Sequence, residues 1–263
     1  MKEILTFPEA AEQVFYEFSH LPIGQNSVVC PYHMNIRKER VGLRALVGKG
    51  DPGEIVKEVK VWAKLKDFDL EKATVEQIRQ FMIDRSIGID CSGFVYYVLG
   101  FWLKSAHQNR LKNYLIFPNQ GLLGWLRRTL RPIENIGANM LTGLDNCERI
   151  TNLNKVQPGD LIRAKGKVRN SHHVMIVSKV LLVEKKVTEI EYVHATRHYA
   201  DHNGIRTGKI LIKNPGKPLQ DQDWTEIEKG RNYTLEDFLI DVEDNGVRRL
   251  KRVSLHFDRA NLP

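Results

Sequence analysis

The order of apolar patterns predicts an α+β fold, with helices in the first third of the chain and an antiparallel sheet after Val156. Capped stretches with apolar residues at helical spacing fill residues 1–85, and short β-branched runs bounded by Gly, Pro, Asn or charged clusters begin at Asp160. Helices and strands are segregated along the chain, which argues against alternating units with a parallel sheet. A length of 263 residues, 42% hydrophobic and 27% charged, is that of an ordinary globular chain and excludes disorder, collagen and coiled coil.

Each element has its own signal. Thr6-Phe7-Pro8-Glu9 has the Thr-x-x-Glu form of a capping box with proline in the first turn, predicting a helix from there to about Ser19. Asp51-Pro52-Gly53-Glu54 repeats this logic ahead of Ile55, Val56, Val59, Trp62 and Ala63. Thr74-Val75-Glu76-Gln77 opens a third helix, with Ile78, Phe81 and Met82 on one side and its end near Arg85. Between Asn113 and Leu144 the apolar residues Leu115, Ile116, Phe117, Leu122, Leu123, Trp125 and Leu126 mix with Arg127, Arg128 and Arg131; this reads as core-packed helices, with an amphipathic lid as the alternative. Strands are expected at Asp160–Ala164, His173–Val180, Val187–Val193 and Lys209–Lys213. A helix from Thr234 follows, and the basic cluster Arg248, Arg249, Lys251 and Arg252 reads as a solvated face.

The first nine residues carry acids and a proline where a secretory signal needs an unbroken apolar core, so the chain is expected to be cytoplasmic, or released by lysis or a non-standard route. No apolar run approaches the length of a membrane-spanning helix. Three cysteines, Cys30, Cys91 and Cys147, are too few for a disulfide scaffold and suit a reducing compartment. The net charge of +8 favours anionic partners without choosing among them.

The stretch that carries chemistry is Gly88-Ile89-Asp90-Cys91-Ser92-Gly93-Phe94-Val95. Asp90 and Ser92 are helix-start residues, and Phe94, Val95, Val98, Leu99 and Trp102 continue one apolar helical face, so Cys91 is expected at a helix N-terminus. There the helix dipole and a nearby imidazole would lower the thiol pKa, as a cysteine nucleophile requires, and Gly93 would leave room for a substrate. Gln157-Pro158-Gly159-Asp160-Leu161 is a turn into a strand, His172-His173-Val174-Met175-Ile176 opens the next strand, and His194-Ala195 ends the one after. A strand-borne His beside a helix-borne Cys, backed by a polar residue on the neighbouring strand, is the geometry of a cysteine peptidase.

On these four ordered motifs the chain resembles the NlpC-type cell-wall cysteine peptidases, a family with a papain-like fold. The resemblance implies a papain-like core over residues 86–213, with helices packed on an antiparallel sheet, a helical extension over 1–85 and a further extension over 214–263. It implies Cys91 as nucleophile, His173 as general base and acid, and His194 as the group that orients His173; His172 is the rival base. It also implies peptide or muropeptide substrates, since family members cleave amide bonds in peptidoglycan stem peptides. Asp90 would offer a carboxylate to a ligand ammonium and Ser92 a hydroxyl, the alternative for Asp90 being helix capping. Tyr32 is the nearest upstream tyrosine for lining the site, and the Cys91 backbone N–H would be one oxyanion donor. The stretch from Cys91 to His173 is longer than usual for the family, so 113–146 reads as an insertion.

Other readings are weaker. His194, His198 and His202 recur at intervals of four, yet they lie in loop-like sequence with no His-Glu-x-x-His motif, so no metal and no other cofactor is expected. Val47-Gly48-Lys49-Gly50-Asp51 lacks the Ser or Thr of a phosphate loop. Nucleic-acid binding is an unlikely partner class because charge alone supports it, whereas an anionic wall polymer suits the basic surface. A pseudoenzyme or a thiol acyltransferase on the same fold is the alternative to a hydrolase.

Overall fold

The computed structural model describes residues 1–34, 43–118, 121, 129–166, 172–253 and 258–261. It is an α+β structure built on an antiparallel sheet, nine-stranded among the described residues. The strands are β1 (Lys2–Thr6), β4 (Cys147–Ile150), β5 (Leu161–Lys165), β6 (His172–Val183), β7 (Lys186–Thr196), β8 (Gly204–Leu211), β9 (Asp223–Trp224), β10 (Gly246–Leu250) and β11 (Asp258–Asn261), while β2 (Leu21–Ile23) and β3 (Asn26–Val28) form a separate hairpin. Their order is β4-β10-β5-β6-β7-β8-β9, with β1 bridging β11 and the far half of β6. Strands from residues 1–85, 86–213 and 214–263 therefore pair in a single sheet.

Both faces of this sheet are covered, which explains why the central strands read as nearly continuous apolar runs. Val174, Ile176, Val193 and Ala195 join one core with the long helix α4 (Cys91–His107), and α1 (Glu9–Ser19) lies against α4 through Phe18 and Phe94. Met175, Val177, Tyr192 and Ile190 face a second core closed by Trp224 and Phe238. Side chains alternate faces along a strand, so neighbours in sequence belong to different cores. Phe94 and Trp102 are essentially fully buried on α4, each contributing roughly 3 kcal/mol through apolar area removed from water.

The helix signals hold with one exception. Asp51 caps α2 (Pro52–Leu65) in a reciprocal capping box with Glu54, and Thr74 caps α3 (Val75–Asp84) with Gln77. The box expected at Thr6 is absent: Thr6 belongs to β1, paired with Lys179 and Asp258, and α1 starts three residues later behind Pro8 without a side-chain cap. Sheet pairing, which depends on residues far along the chain, overrides the local helix signal. Residues 1–85 thus combine helices with strands.

Two further expectations change. Arg248 is not on a solvated face but is 1% exposed on β10, facing Asp244, and Arg249 forks onto the buried Asp160 carboxylate. In the 113–146 stretch, the short helix Ala138–Thr142 and buried Leu115 and Ile133 pack into the α4 core, whereas Leu122, Leu123, Trp125, Leu126, Arg127 and Arg128 lie outside the described residues. No described helix is long and apolar enough to cross a membrane.

Candidate active site

Cys91 is the first residue of α4, with Asp90 as its N-cap. Asp90 Oδ1 accepts the Gly93 N–H (2.6 Å), the Ser92 hydroxyl (2.9 Å) and the ammonium of Lys49 (2.8 Å), whose Nζ also donates to Ser92 Oγ and to the Ile136 carbonyl. Asp90, Ser92 and Lys49 are all buried. The position expected for a ligand ammonium is therefore taken by the chain's own Lys49, and Asp90 acts as a cap with a buried counter-ion. Gly93 likewise serves packing rather than an open approach: a Cβ there would lie 2.6 Å from the Gly48 carbonyl, which accepts the Asp90 N–H.

The thiol sits where two strands part. Val177 exchanges backbone hydrogen bonds with Gly159 and Asp160 on the β5 side, so the peptide groups of His172 and Val174, odd steps away, turn to the β7 side. The β6–β7 ladder runs only as far as Ile176 and Val193, although β6 starts at His172 and β7 continues to Thr196. Cys91 enters this opening, its Sγ donating to the His172 carbonyl at 3.9 Å, with the Val174 backbone N–H also directed at it. Burial, and then the Asp90 carboxylate, push the thiol up to about 12, against the opposing pull of the Val174 and Ser92 amides and Lys49. The helix N-terminus thus does not produce the resting thiolate expected of it, because Cys91 is only 4% exposed.

His173 and His194 meet on the face away from the main body of α4. Their rings are joined by a 2.8 Å hydrogen bond between His173 Nε2 and His194 Nδ1, and His194 is wholly buried. Burial, followed by the neighbouring His194 and His198, holds the His173 imidazole well below its ordinary value, so it rests neutral. No hydrogen bond joins Sγ to the His173 ring among the described residues; the thiol abuts the backbone on either side of it.

Behind His194 stands Glu226, just after β9. Its Oε1 accepts from His194 Nε2 (3.1 Å) and Arg206 Nε (3.0 Å), and its Oε2 accepts from the Tyr192 hydroxyl and Thr234 Oγ1, both at 2.9 Å. Burial raises this carboxyl, but the facing His194 and the hydrogen bonds from His194, Thr234 and Tyr192 outweigh it and hold it at about 2. Gly208 makes the arrangement possible, because any Cβ there would lie 2.2 Å from the Tyr192 ring that crosses it.

The remaining candidates separate clearly. His172 faces Arg163, Lys165, Asp241 and Asp244 on the opposite side from His173, and its Nδ1 has no hydrogen-bond partner among the described residues. Tyr32 pairs in a bridge with Ile89, two residues before Cys91, and burial, followed by the neighbouring Cys91 and Asp90, raises its phenol well above the ordinary value, so a tyrosine distant in sequence reaches the site. His198 bonds Asp237 and stacks on Tyr233, while His202 faces Glu228. Lys49 and Glu226 join the site from outside the four motifs: Lys49 lies in the glycine-rich loop whose sequence is weighed only against a phosphate loop, and Glu226 follows a two-residue strand and carries no local pattern. A cavity of about 470 Å³, lined by Phe7, Glu12, Phe15, Lys179 and Glu191 among others, includes none of these groups and is set apart from the thiol chemistry. A scan against protein-family models and searches of curated proteins and of solved structures return no match for this chain.

Proposed function

We propose that the protein is a cysteine-type amidohydrolase acting on peptides or peptidoglycan fragments, with Cys91 as nucleophile, His173 as base and acid, and His194 as the group that orients His173. The observation that carries this reading is the 2.8 Å His173–His194 hydrogen bond on the two strands whose parted ends receive Cys91. The substrate class comes from the motif resemblance.

Thiol and imidazole both rest neutral in this reading, so the nucleophile is made during attack. Sγ leaves the His172 carbonyl, passes its proton to His173 Nδ1 and bonds the substrate carbonyl carbon, whose oxygen becomes the oxyanion. The Cys91 amide, at the first position of α4 and with no hydrogen-bond partner among the described residues, offers a donor to that oxygen. The imidazolium then protonates the departing amine, leaving a thioester. Water, deprotonated by His173, releases the carboxylic acid and restores the thiol.

The test is turnover of a panel of muropeptides and simple peptides by wild type, Cys91→Ala and His173→Ala. Each variant is expected to lose at least about 1,000-fold in kcat with an unchanged circular dichroism spectrum. Undiminished turnover in Cys91→Ala would overturn the reading.

A further inference from the structure

We propose that Glu226 is a positioning residue that decides which nitrogen of His173 carries the proton, an inference that rests on the thiol-hydrolase reading above. A carboxylate can only accept hydrogen bonds. Because Oε1 of Glu226 accepts from His194 Nε2, that nitrogen must bear a hydrogen. When His194 holds that one proton and no second, its lone pair lies on Nδ1 and accepts from His173 Nε2, which sets the direction of the 2.8 Å contact. The remaining nitrogen of His173, Nδ1, is left with its lone pair and with no hydrogen-bond partner among the described residues. It is the only ring nitrogen of this pair able to receive a proton without breaking the chain of bonds.

Two imidazoles in series are an ambiguous device on their own. If His194 carried its hydrogen on Nδ1, it would donate to His173 Nε2 and force His173 into the Nδ1–H form, a donor where a base is needed. The carboxylate removes that ambiguity. Its own orientation is over-determined, since Arg206 Nε on Oε1 is donor-only and the Tyr192 and Thr234 hydroxyls hold Oε2. The proton that arrives on His173 is then backed through His194 by a buried negative charge.

This makes the two obvious variants differ. In Glu226→Gln the donor-only Arg206 draws the amide oxygen to the Oε1 position, and the amide NH2 can donate to the two hydroxyls. The tautomers survive and only the charge is lost. In Glu226→Ala both are lost.

The experiment is 15N NMR of histidine-labelled protein at pH 8, with turnover measured on the same samples. Wild type and Glu226→Gln are expected to show both rings protonated on Nε2 and bare on Nδ1, with kcat about 10-fold lower in Glu226→Gln. Glu226→Ala is expected to move His173 toward the Nδ1–H form and to lose about 100-fold or more in kcat at similar KM. A wild-type His173 protonated on Nδ1, or Glu226→Gln spectra shifted to that form, would overturn the inference, and both remain readable if Glu226→Ala fails to fold. Turnover surviving in Cys91→Ala would instead remove the reaction reading and leave the nitrogen spectra as they stand.

Discussion

Two buried carboxylates serve the site, Asp90 as the cap beside Cys91 and Glu226 behind His194, and they are assembled in opposite ways. Asp90 gathers its acceptor bonds from the turn it starts, Ser92 and Gly93, and from one distant residue, Lys49. Glu226 gathers all of its donors from elsewhere: Tyr192 and His194 on β7, Arg206 on β8 and Thr234 in the first turn of the later helix Tyr233–Phe238. The first site anchors a helix end and leaves the nucleophile's backbone fixed. The second organises a line of proton carriers, and it exists only once the sheet has formed.

The largest test of this contrast is Lys49→Met. It leaves the Asp90 charge buried without its counter-ion and should cost about 4 kcal/mol in urea unfolding. Adding Asp90→Asn, which keeps the cap acceptor and removes the charge, should recover most of that loss. A single-variant cost under about 1 kcal/mol would make the Asp90 site no more than an ordinary cap.

Acid probes the other carboxylate. Glu226 is held at about 2 against an ordinary 4.5, so its contribution is complete above 4.5 and is lost as pH falls from there toward 2. This amounts to about 3 kcal/mol over the window. Urea midpoints at pH 7 and pH 2.5 should fall more steeply for wild type than for Glu226→Gln, which has no carboxyl to titrate; parallel curves would show that the carboxylate is not specially stabilised. Alkali acts with the opposite sign on the thiols. Cys91 and Cys147 rise from 9.0 to about 12, so the folded state keeps protons that the unfolded state has lost, and stability should decline as pH climbs above 9.

The smallest effect is expected at His172. Its Nδ1 has no partner among the described residues and it faces away from His173, so His172→Gln should change kcat less than about twofold and stability by less than about 0.5 kcal/mol. A loss comparable to that of His173→Ala would move the base to the neighbouring ring.

What was legible in the sequence follows the same division. The capping boxes at Asp51 and Thr74, the start of α4 at Cys91, and the β5 to β8 strands were readable because their signals lie within a few residues of each other. The preference for His173 over His172 comes from its place directly before the Val-x-Ile-Val run, as in the family the motifs resemble; strand alternation says only that the two rings face opposite sides, and the ring bonded to His194 is that of His173. Thr6 misled because a capping pattern cannot reveal that Lys179 and Asp258 will claim the same backbone. Arg248 misled because a run of basic residues does not say which one turns inward. The raised thiol pKa escapes the sequence for a related reason, since a helix start announces a dipole but not the depth at which it is buried. Glu226 and Lys49 had no signal, being single residues whose partners lie on other elements.

Gly208 binds three positions into one unit of change. Tyr192 lies flat across the missing side chain at 208 to reach Glu226, so a substitution at 208 would lift the ring and strip the carboxylate of a donor, while restoring the balance would require a second substitution at 192 or 226. Random variation should therefore move through this part of the chain by coupled steps rather than single ones. A spatial template of glycine, tyrosine, histidine and glutamate drawn from β7, β8 and the segment after β9 would then recognise distant kin of this chain in cases where the linear order of motifs around the cysteine has drifted beyond alignment.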